Sequence, residues 1–119
     1  MIVKSYKELK VWKNGILIVD CIYELTRKFP QSEQYNLIVH LQKTAISIPS
    51  NIAEGFARHY PRDFKRFLSI SLGSCSELET QIIISQRRNY IEQVEYEKIL
   101  EMLDYESRML MKLIKSLKL

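Results

Sequence analysis

The chain has 119 residues, 46% of them apolar and 27% charged, a size and balance that suit one folded domain and exclude a disordered chain. Three glycines and three prolines supply too little turn chemistry for an all-β fold. The formal net charge of +4 is too small to establish a nucleic-acid partner by itself, so the placement of the charge decides more than its sum.

The elements read as helices in chain order. Ser5 to Glu8 spells a capping box, and from it Leu9, Trp12, Ile16, Val19, Tyr23 and Thr26 recur at helical spacing beside a second line of Ile18, Ile22, Leu25 and Phe29. This predicts a first helix from Ser5 to the stop at Pro30. Ser32 is the expected cap of a second helix carrying Leu37, Leu41, Ala45, Ile48, Ile52 and Phe56 to about Arg58. Pro49 lies inside it and predicts a kink, since it removes one backbone bond and crowds the Ala45 carbonyl. Pro61 suits the first turn of a third helix through Phe64, Phe67, Leu68, Leu72, Cys75, Leu78 and Ile82 to about Asn89. A fourth runs from about Glu92 to Leu117, with acids gathered in its first turns.

Four such helices with short links predict an all-α, antiparallel up-down-up-down four-helix bundle as one domain over residues 1–119. Ile18, Ile46, Ile83, Ile84, Met102, Met109 and Met111 exceed a single apolar stripe and predict self-association. No apolar run has the length of a membrane span and the first ten residues hold no signal-type segment, which predicts a cytoplasmic protein. Cys21 and Cys75 sit within apolar helical patterns and read as reduced core residues.

Two segments are more distinctive than a bundle requires: Ser47-Ile48-Pro49-Ser50-Asn51-Ile52-Ala53-Glu54-Gly55 and Gly73-Ser74-Cys75-Ser76-Glu77-Leu78-Glu79-Thr80-Gln81. Together with Tyr6-Lys7-Glu8-Leu9-Lys10-Val11-Trp12 and Phe29-Pro30-Gln31-Ser32-Glu33, they resemble the small four-helix bundle proteins encoded in intervening sequences of bacterial 23S ribosomal RNA genes. The resemblance spans almost the whole chain. It implies a ring-like homopentamer and a kinship with the accessory variability protein of diversity-generating retroelements, a basic pentamer that binds nucleic acid and a reverse transcriptase.

The residues also carry a reading of their own. Ser47, Asn51, Glu54 and Arg58 share one helix face, and Ser74, Glu77 and Gln81 share another. Where those faces meet, a structural polar network of Ser47, Asn51, Glu54, Ser74, Glu77 and Gln81 is expected across the bundle, with Gly73, Ser74 and Ser76 allowing close helix approach. No Glu-x-x-His pair of the di-metal bundle type occurs, His40 and His59 lack carboxylate company, and the glycines at 15, 55 and 73 form no phosphate loop. The expectation is therefore a non-enzymatic protein with no catalytic residues, no metal and no cofactor.

Up-down topology places the start of the first helix, the end of the second, the start of the third and the end of the fourth at one pole. Residues 1–13, 54–66 and 108–119 hold twelve basic and three acidic side chains, a net +9 that leaves −5 for the rest. Lys4, Lys7, Lys10, Arg58, Arg62, Lys65, Arg66, Lys112, Lys115 and Lys118 are the candidate nucleic-acid-binding residues, able to hold RNA or DNA through phosphate contacts. Tyr6 and Tyr60 lie near that pole, placed to stack on bases or to pack. The alternative is an interaction scaffold for a protein partner such as a reverse transcriptase or a neighbouring gene product.

Overall fold

The Ser5 capping box forms as read. The Glu8 carboxylate accepts from the Lys4 and Ser5 amides, both at 3.0 Å, and Ser5 Oγ accepts from the Lys7 amide at 3.2 Å. It closes only a single 3₁₀ turn, Tyr6–Glu8, because Leu9 is extended with ψ 132°. The computed structural model, which describes residues 2–117, starts its first long helix at Lys10. The expected start at Ser5 is thus corrected. The break lets the Tyr6 ring pack on Trp12 at a centroid distance of 5.4 Å, whereas residues six apart on an unbroken helix lie on different faces.

The four helices are α1 (Lys10–Thr26), α2 (Leu37–Ala57), α3 (Pro61–Arg87) and α4 (Gln93–Ser116). α1 ends three residues before Phe29, which turns inward and meets Tyr90 at 5.2 Å. Ser32 lies in a second 3₁₀ turn, Gln31–Glu33, so the start of the second helix moves from Ser32 to Leu37. α2 continues through Pro49 without interruption. α3 begins at Pro61 as read, where a missing N–H costs nothing.

Contacts between helices fix the topology. Asn14 meets Glu106 while Lys28, just past the end of α1, meets Glu95; Gly15 lies against Pro49 while Thr26 bonds Gln42; Ser71 bonds the Ile48 carbonyl while Gly55 lies against Phe67. In each pair rising numbers on one helix meet falling numbers on the next, which is antiparallel packing. The molecule measures 45 × 24 × 20 Å, consistent with the 27-residue α3 spanning its long axis at about 1.5 Å per residue.

The core runs the full length of the bundle through Ile18, Ile22, Leu41, Ile48, Ile52, Leu68, Leu78, Ile82, Ile99 and Leu110. Ile18 is thus fully covered within one chain, and Met102 and Met109 are half-buried. Ile46, Ile83, Ile84 and Met111 stay exposed, joined by Leu17 and Ile70.

The glycines divide sharply. A Cβ on Gly55 would stand 2.6 Å from Phe67 Cβ, and one on Gly15 would stand 3.3 Å from Pro49 Cβ. One on Gly73 would meet nothing within 4 Å, and both Gly73 and Ser76 face outward. The close approaches therefore belong to Gly15 and Gly55, a correction to the expectation for Gly73 and Ser76. Gly55→Ala should destabilise the fold by about 1–3 kcal/mol through overpacking against Phe67, although alanine favours helix. Gly73→Ala, with open space before it, should raise stability by up to about 1 kcal/mol. Denaturant midpoints of the two variants check the contrast; equal shifts would refute it.

Candidate nucleic-acid interface

The pole assembles from four chain segments. The 3₁₀ turn and the start of α1 lie beside the second half of α2, where Tyr6 and Trp12 face Ser50 and Ala53 across a shallow cleft. On the other side Leu9 and Lys10 adjoin Lys112, Leu113 and Ser116 of α4. Gly55 and Phe56 of α2, Phe64 of α3 and Leu117 line a further hollow between them.

Lys4, Lys7, Lys10, Arg58, Arg62, Arg66, Lys112 and Lys115 are exposed at this end, and Lys65 is half-buried. Lys118 lies outside the described residues. The Glu8 carboxylate is turned onto the Lys4 and Ser5 amides. Arg58 bonds Glu54 at 3.0 Å in an exposed i,i+4 pair, which contributes little energy. The buried Phe67 ring seats two guanidinium groups, Arg58 at 5.1 Å and Arg66 at 4.5 Å from its centroid. Cation–π contact of this kind holds the arginine planes without using their N–H groups, one of which on Arg58 is taken by Glu54.

The polar residues on α2 and α3 meet less than their spacing promised. Ser47 Oγ donates to Ser74 Oγ at 2.8 Å across the seam, and Ser71, not singled out in the sequence, donates to the Ile48 carbonyl at 2.9 Å. Asn51 bonds back along its own helix to the Ser47 carbonyl at 2.8 Å, and Glu54 turns to Arg58. Glu77 is exposed, and Gln81 is half-buried with its Oε1 unpartnered among the described residues. The six-residue network is therefore corrected to a serine contact, Ser47 with Ser74, reinforced by Ser71. The reason is register: Glu54 and Glu77 fall on the outer edge of the seam, within reach of water.

The bundle's buried carboxyl lies on the opposite seam. Glu106 of α4 is fully buried; its Oε1 accepts from Asn14 Nδ2 of α1 at 3.0 Å, and the same amide reaches the Met102 carbonyl at 3.3 Å. Its Oε2 has no partner among the described residues. Burial pushes the Glu106 carboxyl up to about 7, against the opposing effect of the Asn14 bond. Cys75 of α3 faces it and is itself pushed up to about 12, first by burial and then by the Glu106 charge. A helical reading could have found the pair, because Glu106 continues the core line of Ile99, Leu103 and Leu110 and Asn14 continues that of Val11 and Ile18.

No group of three or more His, Cys, Asp or Glu side chains among the described residues is arranged to hold a metal ion. No described helix is long and apolar enough to cross a membrane. Comparison with known proteins then places the bundle. A family model described as 23S rRNA-intervening sequence protein matches residues 7–112. The chain belongs to that family. Among solved structures, this 23S rRNA-intervening sequence family member is similar to a protein of unknown function from the S23 ribosomal protein family of Bacteroides thetaiotaomicron. The TM-score is 0.82 at 22% identity, covering 89% of this chain and 96% of the other. At that identity the likeness shows the shared fold. No curated protein matches the chain.

Glu106 gives this family member a definite pH dependence. Its folded-state value of about 7 lies above the ordinary 4.5, so the native state keeps a proton that the unfolded chain releases. Stability should fall as pH rises from about 4.5 to about 7 and level off above, by on the order of 3 kcal/mol in total. Glu106→Gln, which mimics the protonated acid, should flatten the decline in melting temperature across that window. Parallel profiles for the variant and wild type would refute the assignment.

Proposed function

We propose that this protein is a non-enzymatic, homo-oligomeric, cytoplasmic binder of RNA or DNA, and that the basic pole is its contact surface. The carrying observation is that four chain segments, which bear Lys4, Lys7, Lys10, Arg58, Arg62, Lys65, Arg66, Lys112 and Lys115, meet at that pole. Their charge would displace counterions from a phosphate backbone and supply affinity with little reading of base sequence.

Self-association is supported by the outward Ile46, Ile70, Ile83, Ile84 and Met111, and the resemblance supplies the number five. In a ring of parallel subunits the basic poles would gather on one rim. Two free cysteines, Cys21 and Cys75, suit a reducing compartment.

A protein partner is the second reading, favoured by the open groove of about 540 Å³ between α1 and α4, where Leu9, Val11, Met109 and Leu113 lie beside Lys10 and Lys112. Salt separates the two, because phosphate binding collapses with added salt and an apolar interface does not.

Changing Arg62, Lys65 and Arg66 together to Glu should abolish binding of unspecific RNA or duplex DNA at moderate salt while leaving helicity intact. Partial neutralisation should reduce the log-log salt slope by about 0.9 per lost phosphate contact on duplex DNA. The matching change of Arg87, Arg88 and Lys98, away from this pole, should leave binding in place. Equal loss in both variants, or no binding by wild type at low salt, would count against the polar-rim reading. Light scattering should give a multiple of the 14.1 kDa subunit mass, five for the ring; a monomer would remove the oligomer from the proposal.

A further inference from the structure

The two tyrosines near the basic pole have different fates. Tyr6 is spent on packing against Trp12. Tyr60 is 69% exposed, although an aromatic ring of that size would gain by burial. It sits in the link between α2 and α3, where Arg58 closes one helix and Pro61 opens the next.

The link has a built shape. His59 adopts φ 66°, the left-handed region that a residue with a side chain occupies at a cost and that histidine tolerates better than most. Its amide bonds the Phe56 carbonyl at 3.2 Å, which ends α2 sharply and turns Tyr60 away from the helix. Phe56 and Phe64 meet edge to face at 5.8 Å. Together with His59, Tyr60 and Leu117 they line an open hollow of about 200 Å³, above the bare backbone of Gly55.

The hollow is smaller than the roughly 300–1,000 Å³ of sites that enclose a drug-sized ligand. Its walls are aromatic, which suits the face of one flat ring system. Its surroundings are cationic: Arg58 and Arg62 flank the link in sequence, and Arg66 and Lys115 are exposed on the adjoining helix ends. Flat aromatic walls within a basic field match a nucleobase still attached to its phosphates, since each base offers a π-face for stacking and the backbone supplies the negative charge. The acids at this end are Glu54, held by Arg58 at 3.0 Å, the half-buried Asp63, and Glu8, bonded to backbone amides.

We propose that the hollow at the α2–α3 link takes one unstacked nucleobase, with Tyr60 and His59 against the ring and the neighbouring arginines on its phosphates, so that the pole prefers single-stranded nucleic acid to duplex. The inference rests on the reading of the pole as a nucleic-acid surface and adds the form of the ligand. A base paired within a duplex presents no free face to Tyr60, whereas an unpaired one does. Affinity for a single strand therefore contains a stacking contribution that phosphate contact alone lacks.

The test compares fluorescence anisotropy of three probes of equal length on the intact protein: a single strand, the same strand with abasic sugars throughout, and the duplex, each as ribose and deoxyribose forms. The intact single strand should bind about tenfold more tightly than the abasic strand, a ratio within the usual contribution of one stacked base. Tyr60→Ala should erase that ratio while leaving the salt slope unchanged, and Tyr60→Phe should retain it. Tyr60 is exposed, so its truncation should leave circular dichroism and oligomer mass as in wild type. Equal affinity for intact and abasic strands, in a protein that binds both, overturns the base pocket and leaves the electrostatic pole standing. Binding of neither strand at low salt overturns the pole and the pocket together. The ribose and deoxyribose arms identify which single strand is taken.

Discussion

Close approach of α2 and α3 is the constraint on which the rest of the molecule depends. Only Arg58, His59 and Tyr60 lie between the last residue of α2 and the first of α3, too short a connection to let the helices part. They must pack from the link upward. Gly55 permits this beside the link, since any Cβ there would collide with Phe67, and the serines take over higher up. Ser71 donates to the Ile48 carbonyl and Ser47 meets Ser74, so the seam is joined by hydrogen bonds through small side chains where bulky residues would hold the backbones apart. Arg58, Arg62, Lys65 and Arg66 are brought together as a consequence of that packing.

The α1–α4 seam is built on the opposite principle. It is open, with grooves along it at Leu17 and Leu25, at Tyr105, and at Leu9 and Leu113. Beneath this looser cover lies the Asn14–Glu106 bond. A buried acid with one oxygen unpartnered is a weak source of stability, since desolvation opposes the charged form. Its value is positional. Asn14 and Glu106 meet only when α1 and α4 are in one register, whereas the surrounding leucines and isoleucines would accept several. Asn14 precedes Gly15, a pair that in isolation favours a hairpin turn; inside α1 the asparagine bonds across to α4 and the glycine makes room for Pro49.

Periodicity made the helices and their order legible, and it located the core because a 3.6-residue repeat of Leu, Ile and Val has few other solutions. It misplaced the beginnings of two helices. At Ser5 the capping box was real but closed only one turn, since capping chemistry satisfies a local amide and says nothing of how far the helix continues. At Ser32 a residue of the right type sat in a 3₁₀ turn. The meeting of the four segments at one end was legible because topology alone converts chain position into location. The network was misread because shared helical faces do not disclose how deep those faces lie: Glu77 matched the pattern and is exposed, while Glu106 sat on a core line and passed unremarked. The hollow at Tyr60 had no signature beyond three aromatic residues and a histidine, since its shape comes from the left-handed turn at His59.

The electrostatics of the pole follow from side chains rather than from the backbone. Two helices begin there and two end there, so the partial positive charges at the starts of α1 and α3 are balanced by the partial negative charges at the ends of α2 and α4. An antiparallel bundle has almost no net dipole along its axis, and any polarity must be written in its charged residues. Here it is written by lysines and arginines on all four segments. The likeness to the Bacteroides thetaiotaomicron structure at 22% identity and a TM-score of 0.82 shows one fold built from largely different side chains. A bundle keeps its fold as long as apolar residues recur at core positions and the tight seam stays small, which leaves the exposed ends free to vary in charge without penalty to packing. Within this family the fold can therefore be shared while the charge at the ends of the helices differs.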